Sequence, residues 1–269
     1  MKSRSVRATA ALQSLASAHA GFRTGRAASI WNPVHPLSPA PRYAIYYAPP
    51  PQGALWQLAS RWLGRDAATG QQIEQPLIGG FPPARLAEIT ADAARYGFHA
   101  TLKAPFFLAS GRNPRELALR AAAFAKRRAA FLAPRLVPGS LGGFIALVPD
   151  QPSAALQALA DAAVVEFDDF RRPPSIAELE QRRAAGLTPR QDQLLGRWGY
   201  PYVFDAWQFH MTLTTRLEAS ERDRLLTALD QYLGPALTDG PWAVDAICLF
   251  RQESRAAPFR LCARFPFQA

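Results

Sequence analysis

FHATL at residues 98–102 returns as FHMTL at residues 209–213. The chain contains four histidines in all, so this repeated pentapeptide holds half of them. The patterns around the two copies follow one order, namely a strand, a helix, the strand with the motif, a second helix and a pair of strands. We therefore expect a duplicated α+β lobe with an internal pseudo-twofold axis. The glycine-rich sequences G-x-G-x-x-G and G-x-x-x-x-G-K-[ST] do not occur, which argues against a nucleotide-binding βαβ array.

The motif gives each of its two strands a polar face and an apolar face. Residues i and i+2 of a β-strand point to the same side. His99 and Thr101 therefore project together, as do His210 and Thr212, while the apolar residues beside them pack inward. Two strands that each present an imidazole beside a hydroxyl indicate that both face one ligand. The other two histidines lie near the N-terminus and are given no functional role.

The same patterns set the expected boundaries of the fold. Residues 1–41 are rich in Ala, Ser, Arg and Pro and lack acidic residues. A disordered or over-extended N-terminus is expected there, with a secretory signal and a transit peptide as weaker alternatives. Residues 42–269 are expected to form a single bilobal domain. A polar insertion at 171–202 interrupts the second lobe before its motif.

The net charge of +10 is concentrated in the first part of the chain. Residues 1–65 contain eight basic residues and no acidic one, so the rest of the chain has 23 basic against 21 acidic residues. A body this close to neutrality does not predict a groove lined with positive charge. The sequence therefore argues against a nucleic acid as partner.

Hydrophobicity and cysteine content limit the compartment. No stretch approaches the roughly 20 apolar residues that a membrane helix needs, so no membrane association is expected. Cys248 and Cys262 form neither a metal-ligand spacing nor a disulfide framework, and both are expected to be buried thiols. These features fit a reducing compartment, and a cytoplasmic location is predicted.

Two opposed imidazoles suit acid–base chemistry on a phosphate. The unperturbed pKa of histidine, about 6.5, lies near neutrality, so one ring can take a proton from water while the other protonates a leaving oxygen. Threonine hydroxyls on the same face can bind the non-bridging phosphate oxygens. Such a site needs no metal and no cofactor. Hydrolysis of a small cyclic phosphodiester fits best, because the ring holds the leaving alcohol opposite the attacking water.

A structural interpretation of the histidines stays open beside the catalytic one. A lone histidine in an apolar strand is more often a hydrogen-bonded core or surface residue than a catalytic one. A second histidine at the equivalent point of a duplicated lobe reverses that balance. The remaining alternative is that duplication kept the motif while catalysis was lost, which would leave a phosphate-binding or structural site.

Longer stretches carry a resemblance to a known group of proteins. The two F-H-x-T-L motifs in this helix and strand order resemble the two-histidine phosphoesterase superfamily, which includes RNA 2′,3′-cyclic phosphodiesterases. The runs at 95–106, 198–203 and 209–214 are similar to its phosphonate-metabolism branch, whose members have no defined activity. The resemblance covers about residues 42–267.

This resemblance implies both a fold and a set of site residues. The implied fold is bilobal α+β, with two antiparallel sheets facing a central cleft and helices outside. The motifs match without departure, so the resemblance assigns His99 and His210 as catalytic residues and Thr101 and Thr212 as substrate-binding residues. For the branch it also implies cyclic phosphate chemistry on a small sugar phosphate.

Further substrate contacts are expected next to the first motif. Lys103 follows Thr101 at i+2, so it is expected on the same face, where it could reach a second phosphate of the substrate. The second lobe has Thr214 at that position, which makes the site asymmetric. The alternative for Lys103 is an end-of-strand lysine in solvent. Tyr96 is expected to line the cleft, or else to pack in the core.

The insertion supplies two more candidate residues. Arg183 lies in a stretch rich in arginine, whose guanidinium groups match phosphate geometry and could close over a phosphorylated ligand. The alternative is a solvated helix face on which the arginines pair with Glu178 and Glu180. Tyr202, at the end of the insertion, is a further candidate for the cleft.

The sequence thus predicts a bacterial, metal-independent phosphoesterase whose ligand is a small phosphorylated substrate. A ribose cyclic phosphate from phosphonate catabolism is the favoured candidate, and association with phosphonate-pathway proteins is left open. Which histidine is the base is also left open. Two alternatives remain, namely an RNA 2′,3′-cyclic phosphodiesterase, which would need stacking aromatics along the cleft, and a non-catalytic phosphate-binding accessory protein of a phosphonate-degrading system.

Overall fold

The structure is a computed structural model that describes residues 40–268. The N-terminal segment expected at 1–41 lies outside these residues except for its last two positions. The first strand begins at Arg42, where the fold was expected to start.

Strands and α-helices occupy most of the described residues. The strands are β1 (Arg42–Tyr47), β2 (Ala100–Phe107), β3 (Phe131–Ala133), β4 (Leu136–Leu141), β5 (Phe144–Pro149), β6 (Met211–Arg216), β7 (Trp242–Val244), β8 (Ala246–Gln252) and β9 (Phe259–Pro266). The helices are α1 (Ala54–Leu63), α2 (Pro83–Tyr96), α3 (Pro114–Lys126), α4 (Ala154–Glu166), α5 (Ile176–Arg183), α6 (Pro189–Trp198) and α7 (Ala219–Leu233). Short 3-10 turns lie at Asp168–Phe170, Phe204–Ala206 and Gly234–Ala236.

The main sheet is antiparallel and has the strand order β4-β5-β6-β2-β1-β8-β9, while β3 pairs with β7 separately. Its two halves, β4-β5-β6 and β2-β1-β8-β9, each combine strands from both sequence repeats. They join through one residue pair, Ala100 opposite Met211. The predicted α+β class is confirmed, and the two expected antiparallel sheets meet at the two strands that follow the repeated histidines.

The alternating pattern of the motif strands explains how the sheet is anchored. The apolar motif residues are buried, among them Phe98 and Leu102 at 1% exposure and Leu213 at 0%. Helix α2 packs against β6 and helix α4 packs against β2, so each helix covers one motif strand. Burial of such side chains stabilises the fold by about 1.5–3 kcal/mol each. The polar side chains of the motif are left on the opposite face.

The insertion is an ordered pair of helices. Ser175 caps α5 and Thr188 caps α6, each through a capping box. The hydroxyl of the cap accepts from the backbone N–H of the third helical residue, and the side chain of that residue accepts from the backbone N–H of the cap.

Cys248 is buried, whereas Cys262 is only half-buried, and both are free thiols. Within residues 40–268 no helix has the length and apolar character needed to cross a membrane.

Candidate active site

The polar residues of the two motifs share one face of the sheet. Residues opposite one another in an antiparallel pair carry their side chains on the same side. Continued by one residue in each direction from the pair that joins β2 to β6, the register puts Thr101 opposite His210 and His99 opposite Thr212. All four side chains are half-buried. Imidazole and hydroxyl therefore alternate around a single point at the centre of the sheet.

Each histidine is held by the same kind of backbone hydrogen bond. The Nδ1 atom of His99 lies 2.8 Å from the carbonyl oxygen of Gly97, and Nδ1 of His210 lies 2.9 Å from that of Gln208. Because a carbonyl only accepts, Nδ1 donates in both rings, and Nε2 carries the lone pair of the neutral ring. Nε2 of His99 lies 3.3 Å from the hydroxyl oxygen of Thr101. Both rings are thereby fixed in the tautomer that a general base needs.

A glycine at the end of α2 shapes the bond to His99. Gly97 has a φ of 80°, a conformation that side chains strongly disfavour. A Cβ atom at this position would lie 2.5 Å from the Cβ of Ala67, which is too close for any real contact. The backbone can therefore turn from helix to strand at this point, and can aim its carbonyl at the imidazole, only with glycine.

His99 lies among aromatic rings. Its ring is stacked on Tyr46, with ring centres 3.7 Å apart and planes at 21°, and the rings of Phe250 and Tyr96 lie at 6.0 and 6.3 Å. The pKa of His99 is lowered to about 4, mainly by burial and also by the charge of His210, although the hydrogen bond to Gly97 opposes this. The two rings are therefore near enough to influence each other electrostatically.

His210 has a less enclosed environment. One aromatic ring, that of Phe144, lies 5.7 Å from it. Burial lowers the pKa of His210 below its ordinary value of 6.5, while the hydrogen bond to Gln208 raises it. The motif is repeated, but the surroundings are not, and His99 is the histidine more resistant to protonation.

Tyr46, the residue stacked on His99, has a hydroxyl without a hydrogen-bond partner among the described residues, although its side chain is fully buried. We expect Tyr46→Phe to raise the free energy of unfolding by about 1 kcal/mol, since an unsatisfied buried hydroxyl is removed while the ring stays stacked. Urea unfolding measures this change. Tyr46→Leu, which also removes the ring, should instead destabilise the protein, and a less stable Tyr46→Phe protein would show that the hydroxyl is bonded.

The prediction that Lys103 contacts the substrate is wrong, because its ammonium group is not available to a ligand. Its Nζ donates to the carbonyl oxygen of Val164 at 2.8 Å and to Asp168 Oδ1 at 3.0 Å. Burial lowers the pKa of Lys103 to about 8, although Asp168 opposes this. Its counterpart Thr214 is also used internally, since its hydroxyl accepts from the backbone N–H of Ile145 at 2.9 Å. The end of α4 and the 3-10 turn after it cover this part of β2, so Lys103 stabilises the fold instead.

The two candidates from the insertion contact other residues of the insertion and its end. Arg183 is exposed and pairs with Asp192 at 2.6 Å, because α5 and α6 pack side by side. Tyr202 is 44% exposed and touches the edge of the Tyr200 ring at 5.6 Å. The pairing with Asp192 turns Arg183 away from a substrate role, while the role of Tyr202 stays a prediction. Tyr96 lies beside His99, and its role in binding a substrate stays a prediction.

Tyr96 also lines a cavity of about 320 Å³. We call it the arginine cavity, because its lining includes Arg42, Arg171, Arg172, Arg182 and Arg255. Sequence reasoning noted arginines in the insertion but missed those on β1 and after β8. Arg42 and Arg255 are far apart in sequence, and only the pairing of β1 with β8 brings them together. No local pattern in the sequence signals this.

Residues 101–260 match the model of a protein family described as a protein of unknown function, DUF1045. The chain belongs to the DUF1045 family. The matched segment of this DUF1045 protein begins at the threonine of the first motif and includes the whole second motif, the insertion and the cavity arginines except Arg42.

Two curated relatives share sequence with this DUF1045 protein. It is 41% identical over 229 residues to ribose 1,5-bisphosphate phosphokinase PhnN of Janthinobacterium sp. (strain Marseille), which covers 84% of the chain and 51% of that protein. It is 38% identical over 221 residues to the protein of the same name from Laribacter hongkongensis (strain HLHK9), covering 82% and 50%. The chain thus spans about half the length of the curated relatives it matches.

Solved structures with a similar arrangement of elements were also found. One is described as a phosphoesterase, with a TM-score of 0.41 and 14% identity, covering 86% of this chain and 99% of that one. Another is LigT of E. coli without ligand, with a TM-score of 0.39 and 16% identity, covering 85% and 99%.

Proposed function

We propose that this protein hydrolyses a small cyclic phosphodiester by acid–base catalysis between His99 and His210. One observation carries the proposal, namely two imidazoles with Nδ1 engaged by a backbone carbonyl on the sheet face that also holds Thr101 and Thr212. A structural role would account for the one backbone hydrogen bond of each histidine. It would not require two fixed rings, each with a hydroxyl beside it, on strands that touch at this point.

The reaction uses both rings and both hydroxyls. The cyclic phosphate lies between the motifs, with its non-bridging oxygens bound by Thr101 and Thr212. Nε2 of the neutral histidine takes a proton from water as the water oxygen forms a bond to phosphorus. The bond from phosphorus to the ring alkoxide breaks, and the protonated histidine donates its proton to that oxygen. A phosphate monoester leaves, and the two histidines have exchanged protonation states.

The difference between the two surroundings supports one distribution of these roles. His99 lies deep among aromatic rings with a pKa of about 4, so it is the ring that stays neutral and acts as base. His210 has fewer apolar neighbours, so it accepts the first proton and acts as acid. A bound phosphate anion favours the charged ring and strengthens this state.

The pH dependence of kcat/KM tests the pair. In the active free enzyme one imidazole is protonated and the other is neutral, and both pKa values lie below 6.5. The acid is lost as the pH rises through the pKa of His210, which lies below 6.5, and the base is lost as the pH falls through about 4. We expect a bell-shaped profile with its maximum between these values. A maximum above pH 7 would contradict the assignment.

The names of the relatives bear on the substrate. Both are named for phosphorylating ribose 1,5-bisphosphate, but the chain matches about half of each and has no P-loop sequence. We assign the kinase reaction to the half that this chain does not match. Opening a ribose cyclic phosphate leaves a ribose phosphate monoester, which is the class of compound in those names. A ribose cyclic phosphate is therefore the substrate that we propose.

The proposed function is tested by substrate comparison in the presence of EDTA. Phosphorus NMR would follow a ribose cyclic phosphate and an RNA oligonucleotide with a 2′,3′-cyclic end. We expect the small sugar phosphate to be opened faster, since the described body of the protein is not basic enough for RNA. Faster opening of the oligonucleotide would favour an RNA-processing enzyme. Tight binding without turnover would favour a phosphate-binding accessory protein.

A further inference from the structure

We propose that the arginine cavity binds a second phosphate group of the substrate, so that the preferred substrate carries a phosphate in addition to its cyclic phosphodiester. This inference rests on the proposed function for the position of the cyclic phosphate. It assigns a separate binding site, made of residues other than the histidines and threonines.

The cavity has more positive than negative charge. Of its five arginines, Arg172 and Arg255 share the carboxylate of Glu178, at 2.9 Å each. Arg171 pairs with Asp168 at 2.9 Å. Arg42 and Arg182 have no carboxylate within ion-pair distance among the residues that the structure describes. A dianionic phosphate would supply the missing counter-charge, and guanidinium groups match its oxygens in pairs.

The arginines without a carboxylate are held in place by neutral groups. Arg42 donates through Nε to the side-chain oxygen of Gln252 at 2.8 Å, and Arg182 lies over the ring of Tyr200 at 5.2 Å. Burial lowers the pKa of Arg42, and the charge of Arg255 lowers it further. The like charges therefore repel one another in the empty cavity, and an anion would relieve this repulsion.

The insertion builds one wall of the cavity and is fixed there before any ligand arrives. Glu178 of α5 joins Arg172, which precedes the helix, to Arg255 in the loop after β8. The capping box at Ser175 sets the start of the same helix. A preorganised wall loses little conformational freedom when it binds a phosphate.

The cavity lies close to His99, because Tyr96 borders both. Tyr96 lines the cavity, and its ring centre is 6.3 Å from that of His99. Along β2, Pro105 of the cavity follows Thr101 by four residues, which corresponds to about 13 Å along the strand. A ribose with phosphates at two ends can reach from the motif threonines to the long arginine side chains. A substrate with only a cyclic phosphate would leave the cavity arginines without a bound anion.

Two substrates and two neighbouring arginines test the site. The substrates are a ribose cyclic phosphate with and without a 5-phosphate. The variants are Arg182→Ala, which removes a cavity arginine without a carboxylate, and Arg183→Ala, which removes an exposed arginine paired outside the cavity. For the 5-phosphorylated substrate we expect Arg182→Ala to raise KM by about tenfold to a hundredfold with little change in kcat. Arg183→Ala should leave both substrates unaffected.

Binding measured without turnover separates this site from the proposed function. Calorimetry with ribose 1,5-bisphosphate on His210→Gln should still detect binding, and adding Arg182→Ala should weaken it by a similar factor. Bisphosphate binding that depends on Arg182, in a wild type with no hydrolysis, would overturn the proposed function and support the cavity. Equal kcat/KM for the two substrates, or equal effects of the two arginine variants, would rule out the cavity as a phosphate-binding site. The proposed function would not be affected by that result. Thermal unfolding of each variant confirms that it is folded.

Discussion

His210→Gln is expected to lower kcat for a cyclic phosphate by about 10²–10⁴-fold while the protein keeps its fold, because a positioned acid contributes a factor of this size. The half-buried His210 has one nearby aromatic ring and one backbone hydrogen bond, so its replacement disturbs few contacts. The rate of ring opening by phosphorus NMR gives kcat, and thermal unfolding of the same sample reports the fold. Retention of kcat within tenfold would exclude His210 as the acid.

His99→Gln is expected to cause a loss of similar size, but with a different pH profile. With His99 replaced, the remaining ring can act only as acid, so the rate of the residual reaction should no longer fall at low pH. The double variant should be no slower than the slower single variant by more than about tenfold, since both rings act on one proton cycle. Additive losses in the double variant would mean that the two rings act independently.

Thr212→Val is the matched control on the same strand face. It removes a hydroxyl and keeps the shape of the side chain. The proposal predicts a smaller loss than for either histidine, because one hydrogen bond to a charged phosphate contributes about 1.5–3 kcal/mol. A threonine variant as inactive as His210→Gln would mean that catalysis depends on phosphate binding as much as on proton transfer.

The four central residues of the candidate site could be predicted from the sequence, because the two members of each pair are close together in the chain. The histidine and threonine of each motif are two residues apart, and the strand period alone puts them on one face. The repeat then predicts that the two strands meet. The structure adds that β2 and β6 begin one residue after their histidines, so each imidazole can turn back to the carbonyl two residues before it. That hydrogen bond depends on the backbone before the strand, and the motif does not encode it.

The arginine cavity could not be predicted because it is assembled from distant segments. Arg42 lies on β1, Arg182 on the insertion and Arg255 after β8, and their proximity depends on strand pairing and on how α5 packs. The prediction for Lys103 failed for a related reason. The strand period predicts which face Lys103 lies on, but its cover comes from Val164 of α4 and from Asp168 in the turn after that helix. Strand periodicity tells which side a residue faces, and not which later segment covers it.

Replacing Asp168, which joins the insertion to β2, should have the largest effect on the stability of the protein. Asp168 accepts from Lys103 Nζ at 3.0 Å and from Arg171 Nε at 2.9 Å, and the side chain of Lys103 is only 4% exposed. Asp168→Asn removes the charge that compensates the buried ammonium group. We expect the free energy of unfolding to fall by about 3–5 kcal/mol at neutral pH, because an unpaired buried charge remains. Urea unfolding at pH 7 measures the change.

The pH dependence of this loss identifies its cause. The pKa of Lys103 is about 8 in the folded protein, below its ordinary 10.5, and without Asp168 it should fall further. The unfolded chain then binds more protons than the folded chain between the folded pKa and 10.5, so stability rises with pH over that interval. The destabilisation by Asp168→Asn should therefore shrink between pH 7 and pH 9.5, and adding Lys103→Met should recover much of it at pH 7. A pH-independent loss, or one that Lys103→Met makes worse, would mean that Asp168 acts through Arg171 and the insertion and not through the buried lysine.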